Sequence, residues 1–287
     1  MDKISLKSYA KINLSLYIFN KLKNNYHNVE SIMHQINLCD TIRIKKSNQN
    51  KIIVKSDIKE IQNKDNLAYK AVFLLKKQCK IKEGVEISIN KKIPLQAGLG
   101  GGSSNAAATL IALNKLFNLK LNKNQLMKLA SKIGSDVPFF IEGKTCLVSG
   151  IGNKIKKIDS DLKLNFLIVK PNINISTKWA YNEFDKYNKK ISKINKNNNK
   201  NLINALKENN LKKIAENLHN DFEAVIIKKY PIIKKINNDL IKNNALNVIM
   251  TGSGSAVFGI FENKDNALSA YKKLKGKYNF ACLSQSF

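Results

Sequence analysis

Arginine is almost absent from this chain: Arg43 is the only arginine among 50 basic residues. The acidic residues number 21. The formal net charge of +29 comes from lysine spread through nearly every segment, as AT-rich coding produces. Proteins that read a nucleic-acid sequence depend on the planar fork of arginine for bidentate contacts to bases. The composition therefore argues against a dedicated nucleic-acid-binding protein, although a diffuse positive field would attract anionic substrates.

Cysteines and long apolar runs are scarce as well. Cys39, Cys79, Cys146 and Cys282 are far apart and form no CxxC pair, which indicates buried or incidental thiols in a reducing compartment. No segment approaches the roughly 18 consecutive apolar residues of a membrane span. The first residues hold no apolar stretch of signal-peptide length. These absences predict a cytoplasmic protein that does not associate with membranes.

The spacing of apolar residues predicts a mixture of strands and helices. Residues 4–19 alternate like a strand, 164–169 form a strong apolar strand, and 104–117 and 202–218 have helical spacing. Strict βαβ alternation is missing, so the pattern predicts an α+β fold with a domain boundary in the connector 150–161. Further strands are predicted at 41–46, 51–56, 85–89, 146–149, 247–250, 256–261 and 280–284, and further helices at 66–77, 123–133, 232–243 and 264–274.

Residues 187–201 (YNKKISKINKNNNKN) form a polar segment of low complexity. Lysine and asparagine leave it too few apolar side chains to build a core of its own. We therefore expect an exposed insertion or flexible loop there, and the sequence assigns it no role.

The most informative segment is the stretch 94–104 (PLQAGLGGGSS), which lies between a predicted strand and a predicted helix. Glycine lets the backbone approach a ligand closely and adopt positive φ without steric cost. The N–H groups of such a loop, together with those of the following helix, converge on an anion. Ser103 and Ser104 add hydroxyl groups that could also face a metal ion. Four glycines and two serines exceed the needs of a tight turn, so the stretch predicts phosphate binding.

Two better-known phosphate loops do not fit this stretch. A Walker A loop has the form GxxxxGK[ST], and no lysine follows these glycines. A dinucleotide fingerprint has the form GxGxxG with an acidic residue about 20 positions further on. Here the spacing is GxGGG and the region beyond it is rich in lysine and asparagine. The loop therefore belongs to another class of phosphate-binding fold.

The loop resembles the ATP loop of the GHMP kinase superfamily, P-x-x-x-G-L-G-S/G-S-S. Three other stretches carry the same resemblance: AKINL at 10–14, GSDVPFF at 134–140 and TGSGS at 251–255. These motifs follow the family's order over nearly the whole chain. By this resemblance the ATP-binding residues are Pro94, Gly98, Leu99, Gly100, Gly101, Gly102, Ser103 and Ser104.

The resemblance also implies an architecture and a set of ligands. We expect a ribosomal protein S5 domain 2-like domain at residues 1–155 and a ferredoxin-like α/β domain at residues 156–287. ATP and Mg²⁺ are the implied cofactors, and the partners are ATP and a small molecule, with neither nucleic acid nor membrane. The implied assembly is a monomer or a weak homodimer.

Two residues carry the chemistry that the resemblance implies. Phosphoryl transfer depends on positioning and charge stabilisation. Asp136 would accept the proton of the substrate hydroxyl as general base. Lys11 would lie beside that hydroxyl and Asp136, where a fixed cation supports the attacking oxygen and the incoming phosphoryl charge. Only its place in the family motif distinguishes Lys11 from the many other lysines.

A Tyr-His pair at 26–27 narrows the resemblance to the branch that phosphorylates the 2-hydroxyl of a cytidine-diphosphate-linked methylerythritol in the non-mevalonate isoprenoid pathway. By resemblance, Tyr26 would stack on the cytosine and His27 would supply hydrogen bonds. Tyr181 would be the opposing ring, with Trp179 as an alternative. Asn13 would orient the polyol or the diphosphate.

Two departures from the family pattern and two alternatives remain at this stage. The acidic residue that usually follows the Gly-x-Gly at 150–152 is Asn153 here. The glycine that usually precedes the Tyr-His pair is Asn25, which also tolerates the left-handed conformation. A different member of the superfamily, such as a homoserine or mevalonate kinase, would explain the glycine loop but leave Tyr26 and His27 without a role. A basic nucleic-acid-binding module on a ribosomal-protein-like fold would explain the charge but not Asp136 or the late glycine motif.

Overall fold

The computed structural model describes residues 2–22, 25–160, 162–188 and 198–287. The strands are β1 (Lys3–Lys21), β2 (His27–Ser47), β3 (Ile52–Ser56), β4 (Gly84–Asn90), β5 (Thr145–Gly150), β6 (Lys154–Lys157), β7 (Asn165–Lys170), β8 (His219–Asn220), β9 (Asn247–Met250), β10 (Val257–Phe261) and β11 (Phe280–Gln285). The α-helices are α1 (Leu67–Cys79), α2 (Gly101–Leu116), α3 (Lys123–Ser131), α4 (Val137–Glu142), α5 (Thr177–Asn188), α6 (Asn198–Lys207), α7 (Leu211–Glu216), α8 (Glu223–Lys229), α9 (Ile232–Lys242) and α10 (Lys264–Leu274).

Two sheets form the framework of the described residues. In the first sheet the strands lie in the order β3-β4-β2-β1-β8, and β5 and β6 continue it from β2. Its centre is the long antiparallel pair β1 and β2. The second sheet is antiparallel with the order β11-β7-β10-β9. β8 comes from the second half of the chain, yet it pairs in parallel with β1 of the first sheet.

Three apolar clusters hold these layers together. The first packs α1, α2, α3 and α4 against one face of the first sheet, with small residues such as Ala106 and Ala107 letting α2 lie close to the strands. The second fills the space between the sheets, where Ile12 meets Phe166 and Phe258. The third lies under the helices that cover the second sheet.

No helix in the described ranges has the length and apolar character to cross a membrane.

The α+β prediction is confirmed, and most predicted elements lie within a few residues of their place. The strand predicted at 41–46 is only the end of β2, because buried polar residues such as His34 and Gln35 interrupt the alternation of its earlier part. The helix predicted at 202–218 is two helices, α6 and α7. Asn209 adopts a left-handed conformation with φ 52°, and Asn210 then caps α7. The short helices α4 and α8, and also α5, were not predicted.

The polar segment 187–201 is helical at both of its described ends, where a loop or an insertion was predicted. Residues 187–188 end α5, and residues 198–201 begin α6. Lys200 and Asn201 are exposed, as expected, but Asn199 is buried with 3% of its surface exposed, so the expectation of exposure is wrong at that residue. Residues 189–197 lie outside the described residues.

We propose the domain division 1–155 and 156–287 as a working description. β6 crosses residue 155 and pairs with β5, so the first sheet extends a little past the division. β8, at residues 219–220 in the second half of the chain, pairs with β1 of the first sheet. The two halves therefore share one sheet edge.

Candidate active site

The glycine loop forms the first turn of α2. The helix begins at Gly101, three residues earlier than its apolar spacing predicts, and Gly100 precedes it in a left-handed conformation with φ 70°. A Cβ atom at Gly100 would lie 2.7 Å from Cζ of Phe140, so a larger residue does not fit. The first N–H groups of a helix have no acceptor within the helix. They are available to an anion at this position, and the helix dipole favours its charge.

The late glycine motif packs directly against this loop, although 153 residues separate Gly98 from Thr251. A Cβ atom at Gly98 would lie 2.1 Å from the carbonyl oxygen of Thr251, which accounts for the glycine. The backbone N–H of Ala256 donates to the carbonyl of Ala97 at 3.1 Å. Two glycine-rich segments from opposite halves of the chain therefore form one surface.

Asp40 holds the turn that leads into the loop. Its carboxylate is fully buried and accepts hydrogen bonds from the backbone N–H groups of Lys92 and Ile93, both at 2.8 Å. It also forms an ion pair with Lys91. A Cβ atom at Gly101 would lie 3.1 Å from Nζ of Lys91, so this ammonium group stands beside the start of α2.

The predicted catalytic pair, Lys11 and Asp136, meets beside the loop. Nζ of Lys11 lies 3.9 Å from Oδ2 of Asp136, with 3% of the lysine side chain and 32% of the aspartate side chain exposed. The backbone N–H of Lys11 donates to the carbonyl of Leu99 at 3.0 Å, which fixes β1 against the loop. Burial lowers the pKa of Lys11, and the charge of Asp136 opposes that effect. Asp136 makes no capping hydrogen bond to α4, so its carboxylate is available to a substrate.

Asn13 organises the residues around this pair. Its Oδ1 accepts from Nζ of Lys11 at 2.5 Å and from the hydroxyl of Thr251 at 3.1 Å. Its Nδ2 donates to Oγ of Ser31 at 2.8 Å, and its backbone N–H donates to Oγ1 of Thr251 at 3.0 Å. Asn13 is 1% exposed. The lysine ammonium is therefore held in one place by an amide that is itself fixed on two sides.

The aromatic end of the site is built from β2 and α5. The rings of His27 and Tyr181 stack with their centroids 4.8 Å apart and their planes at 15°. Tyr26 precedes β2 with 58% of its surface exposed, and Asn25 adopts the left-handed conformation expected for it, with φ 65°. Trp179 instead packs edge-on against Tyr230.

Asp185 orients His27. Its Oδ1 lies 2.6 Å from Nε2 of His27, and its Oδ2 lies 3.0 Å from Nζ of Lys21. A carboxylate only accepts hydrogen bonds, so Nε2 carries the proton and, in a neutral imidazole, Nδ1 is left as an acceptor. Burial alone would raise the pKa of Asp185, but hydrogen bonds from Lys21 and His27 hold it below its usual value. Burial, with the charge of Asp136, raises the pKa of Tyr181 to about 12, so its hydroxyl stays protonated.

The two loop serines differ in position. Oγ of Ser104 is buried and lies 2.7 Å from Oγ of Ser8 on β1, behind the loop. Ser103 is partly exposed. In the described part of the chain no three His, Cys, Asp or Glu residues cluster closely enough to hold a metal ion. Asp136 and Ser103 both have partly exposed side chains that could offer oxygen atoms to a cation.

Asp185 and Asn220 are parts of the site that the sequence did not reveal. Asp185 comes from the polar end of α5, 158 residues from His27. Asn220 in β8 donates its amide to the carbonyls of Met250 and Gly252, at 2.6 and 2.9 Å, and so ties the late glycine motif to the first sheet. Neither residue lies in a recognisable motif, so only their contacts identify them.

Comparison with known proteins supplies the family. The sequence profile of the GHMP kinases N terminal domain matches residues 66–144, and that of the GHMP kinases C terminal domain matches residues 202–279. A protein of Caldicellulosiruptor bescii named 4-diphosphocytidyl-2-C-methyl-D-erythritol kinase is 45% identical over 95% of this chain and 94% of its own. A protein of the same name from Clostridioides difficile is 45% identical over 97% of this chain and 93% of its own.

Solved structures agree at the level of the fold. A crystal structure of 4-(cytidine 5'-diphospho)-2C-methyl-D-erythritol kinase aligns with a TM-score of 0.83 and 25% identity, covering 99% of this chain and 100% of its own. Homoserine kinase from Cytophaga hutchinsonii aligns with a TM-score of 0.79 and 18% identity, covering 100% of this chain and 95% of its own, which shows a shared fold alone. The two matched domains and the full-length relatives show that the chain belongs to the GHMP kinase family.

Proposed function

We propose that the protein transfers the γ-phosphate of ATP to the 2-hydroxyl of 4-diphosphocytidyl-2-C-methyl-D-erythritol, a step of non-mevalonate isoprenoid synthesis. The observation that carries this proposal is the Lys11–Asp136 pair beside the glycine loop, at 3.9 Å, combined with the His27–Tyr181 stack. ATP is the phosphate donor of the GHMP kinase family. Full-length relatives at 45% identity that carry the name of this kinase support the choice of acceptor.

The transfer needs a base and a fixed positive charge. Asp136 accepts the proton of the 2-hydroxyl while that oxygen forms its bond to the γ-phosphorus, and the bond from the γ-phosphorus to the β-phosphate oxygen breaks to release ADP. Lys11 stabilises the charge on the attacking oxygen and on the phosphoryl group. Its hydrogen bond to Asn13 holds the ammonium in place before the substrate arrives, so little reorganisation is needed during the reaction.

Mg²⁺ fits the oxygen atoms that surround the loop. Proteins hold this ion with one or two carboxylates, hydroxyl groups and the phosphates of the substrate. Asp136 and Ser103, both partly exposed, are the residues that would hold it. When bound, the ion would neutralise phosphate charge, and Lys11 would supply the positive charge beside the acceptor hydroxyl.

The cytidine is recognised at the aromatic end. Tyr26 offers an exposed ring for stacking, and Tyr181 offers a second ring. His27, with its Nε2 proton directed to Asp185, keeps Nδ1 free to accept a hydrogen bond. Such an acceptor suits the amino group of cytosine, whereas the O4 atom of uracil would oppose it.

The alternatives explain less of the site. A homoserine or mevalonate kinase shares the fold but leaves the stack of His27 and Tyr181, and the carboxylate behind it, without a role. A nucleic-acid-binding module leaves the buried ion pair of Lys11 with Asp136 unexplained.

An ADP-release assay tests the proposal. The purified protein is given ATP, Mg²⁺ and, separately, 4-diphosphocytidyl-2-C-methyl-D-erythritol, homoserine and mevalonate. We expect turnover with the first acceptor alone, and metal removal by a chelator should stop it. Turnover with homoserine or mevalonate in preference to the cytidylylated acceptor would overturn the assignment.

Light scattering on the same sample checks the predicted monomer or weak homodimer.

A further inference from the structure

The polar segment 187–201 contributes a buried residue to the acceptor site. Asn199 lies in the first turn of α6 with 3% of its surface exposed, although the neighbouring Asn201 is exposed. A buried asparagine must find partners for its amide, because an unsatisfied polar group in the interior is costly. Its partners lie on β1 and β2, 184 and 169 residues away in the chain.

Both ends of the Asn199 amide are engaged. Its Oδ1 accepts from the hydroxyl of Ser15 at 2.5 Å, and its Nδ2 donates to Oε1 of Glu30 at 2.7 Å. Ser15 is fully buried. The amide therefore bridges the two central strands of the first sheet from the outside.

The bridge joins β1 where its pairing with β2 is irregular. The register shifts between Asn13 and Ser15, which marks a bulge in β1. At this bulge the hydroxyl of Ser15 accepts from the backbone N–H of Ile32 at 3.0 Å, in place of a regular ladder bond. The single proton of that hydroxyl then needs an acceptor, and Oδ1 of Asn199 supplies it.

The same bulge carries Asn13. The hydroxyl of Ser31 donates to the carbonyl of Ser15 at 2.5 Å and accepts from Nδ2 of Asn13 at 2.8 Å. Asn13 in turn accepts from Lys11 at 2.5 Å. Buried hydrogen bonds thus connect Asn199 with the ammonium group beside Asp136 through residue Ser15, whose hydroxyl binds Asn199 and whose carbonyl binds Ser31. Buried networks of this kind hold their members in one geometry when every partner is satisfied.

We propose that Asn199 is a positioning residue of the acceptor site, which acts through Ser15 to fix the bulge that presents Asn13 and Lys11. The inference rests on the proposed function for the identity of the acceptor, but not for the geometry. Misplacement of groups near a reacting centre can reduce a rate by up to about a hundredfold. The ATP loop also has contacts that involve neither Asn199 nor Asn13: Asp40 binds the turn before it, and the backbone N–H of Ala256 donates to the carbonyl of Ala97. Loss of the bridge should therefore affect the acceptor and spare ATP.

Steady-state kinetics of Asn199→Ala test this. We expect kcat/KM for the cytidylylated acceptor to fall about tenfold, with the KM for ATP within about twofold of the wild type. Asn201→Ala, an exposed asparagine two residues further along α6, is the matched control and should behave as the wild type. A purely structural role would lower the unfolding temperature of Asn199→Ala and leave kcat and KM unchanged, and that result would overturn the proposal.

A double variant that exchanges the donor and the acceptor of the hydrogen bond between Asn199 and Glu30 should restore activity. In the double variant Asn199→Asp with Glu30→Gln, the carboxylate at 199 still accepts from Ser15, the amide at 30 donates to it, and the net charge is unchanged. We expect acceptor kcat/KM within about threefold of the wild type. If the swap is as impaired as Asn199→Ala, the hydrogen bonds are not the cause and the proposal is wrong.

Ser15→Ala removes the other partner of the hydrogen bond between Ser15 and Asn199. It should show the same loss with the acceptor, and the double variant Ser15→Ala with Asn199→Ala should be no worse than either single variant. If Asn199→Ala does not fold, Ser15→Ala carries the test by the same comparison of acceptor with ATP. If the wild type ignores the cytidylylated acceptor, the proposed function fails. In that case kcat/KM and the KM of ATP are measured with whichever acceptor the ADP-release assay shows to be phosphorylated, so the role of Asn199 is still tested.

Discussion

At the scale of single residues, Lys11 is the most unusual feature of the protein. Its side chain is 3% exposed in a chain whose lysines mostly face solvent. Burial lowers its pKa, and Asp136 opposes that shift. The hydrogen bond to Asn13 supplies the polar partner that a buried ammonium requires. A buried lysine held between Asn13 and Asp136 is placed to stabilise developing negative charge rather than to face solvent.

We predict that Lys11→Ala and Asp136→Asn each reduce turnover by about a hundredfold or more. Lys11→Ala removes the charge beside the attacking oxygen. Asp136→Asn removes the base and also the charge that supports the ammonium. Lys7→Ala, an exposed lysine on the same strand, is the control and should retain activity. The measurement is ADP release together with circular dichroism of each variant; wild-type turnover in both site variants would contradict the mechanism.

Tyr26→Ala should weaken the acceptor far more than ATP. The ring of Tyr26 is 58% exposed, and a base stacked on an aromatic side chain gains about 1–3 kcal/mol. We therefore expect the KM of the cytidylylated acceptor to rise about tenfold or more while the KM of ATP stays constant. Equal losses for the two ligands would argue against a cytosine platform at this position.

At the scale of elements, α2 and the loop before it act as one unit. The helix starts at Gly101, and the left-handed Gly100 turns the chain into it against Phe140. Ser104, buried against Ser8, anchors the same turn to β1. The N–H groups that we propose bind phosphate are thus oriented by packing behind the loop, which the glycine spacing alone does not show.

Gly100→Ala should disturb that unit. The left-handed conformation costs a non-glycine residue about 1–2 kcal/mol, and the new Cβ would lie 2.7 Å from Phe140. We expect the free energy of unfolding to fall by about 2 kcal/mol or more and the KM of ATP to rise. Gly102→Ala, whose Cβ would meet nothing closer than 3.8 Å, is a control for stability alone. Equal stability of the two variants in urea unfolding would contradict this account.

At the scale of the whole molecule, the end of the chain ties the two sheets together. His34 on β2 lies 2.8 Å from Oγ1 of Thr145 through Nδ1 and 2.9 Å from Oγ of Ser286 through Nε2. Phe287 then packs on Tyr9, with ring centroids 3.9 Å apart. A buried histidine thus lies where β2 meets the C-terminal end of the chain.

The burial of His34 predicts that the free energy of unfolding depends on pH. Burial lowers the pKa of His34 to about 4, from an ordinary value of 6.5. Between these values the unfolded chain binds the proton and the folded one does not, so stability falls as the pH drops from 6.5 to 4. The loss amounts to about 3 kcal/mol. Urea unfolding of the wild type and His34→Gln across this range should show the extra slope in the wild type alone; identical slopes would refute the role of His34.

The spacing of apolar residues was enough to predict the α+β fold, and the motifs that resemble those of the GHMP kinases were enough to predict the phosphate loop and the catalytic candidates Lys11 and Asp136. These depend on local chemistry: glycine permits the tight approach, and the flanking residues of a motif select one lysine among many. The long strand β2 escaped prediction because buried polar residues, such as Gln35 and Asp40, hide its alternation.

Other features were decided by the tertiary structure alone. Asp185 reaches His27 across 158 residues, and Asn199 reaches Ser15 across 184. Neither has a local signal, because an aspartate near the end of a polar helix and an asparagine in a lysine-rich segment are ordinary surface residues in sequence. Hydrogen bonds between distant segments depend on strand register and helix packing. The sequence therefore determined which chemistry the protein can perform, whereas the packing of α5 and α6 against the first sheet decided which side chains hold that chemistry in place.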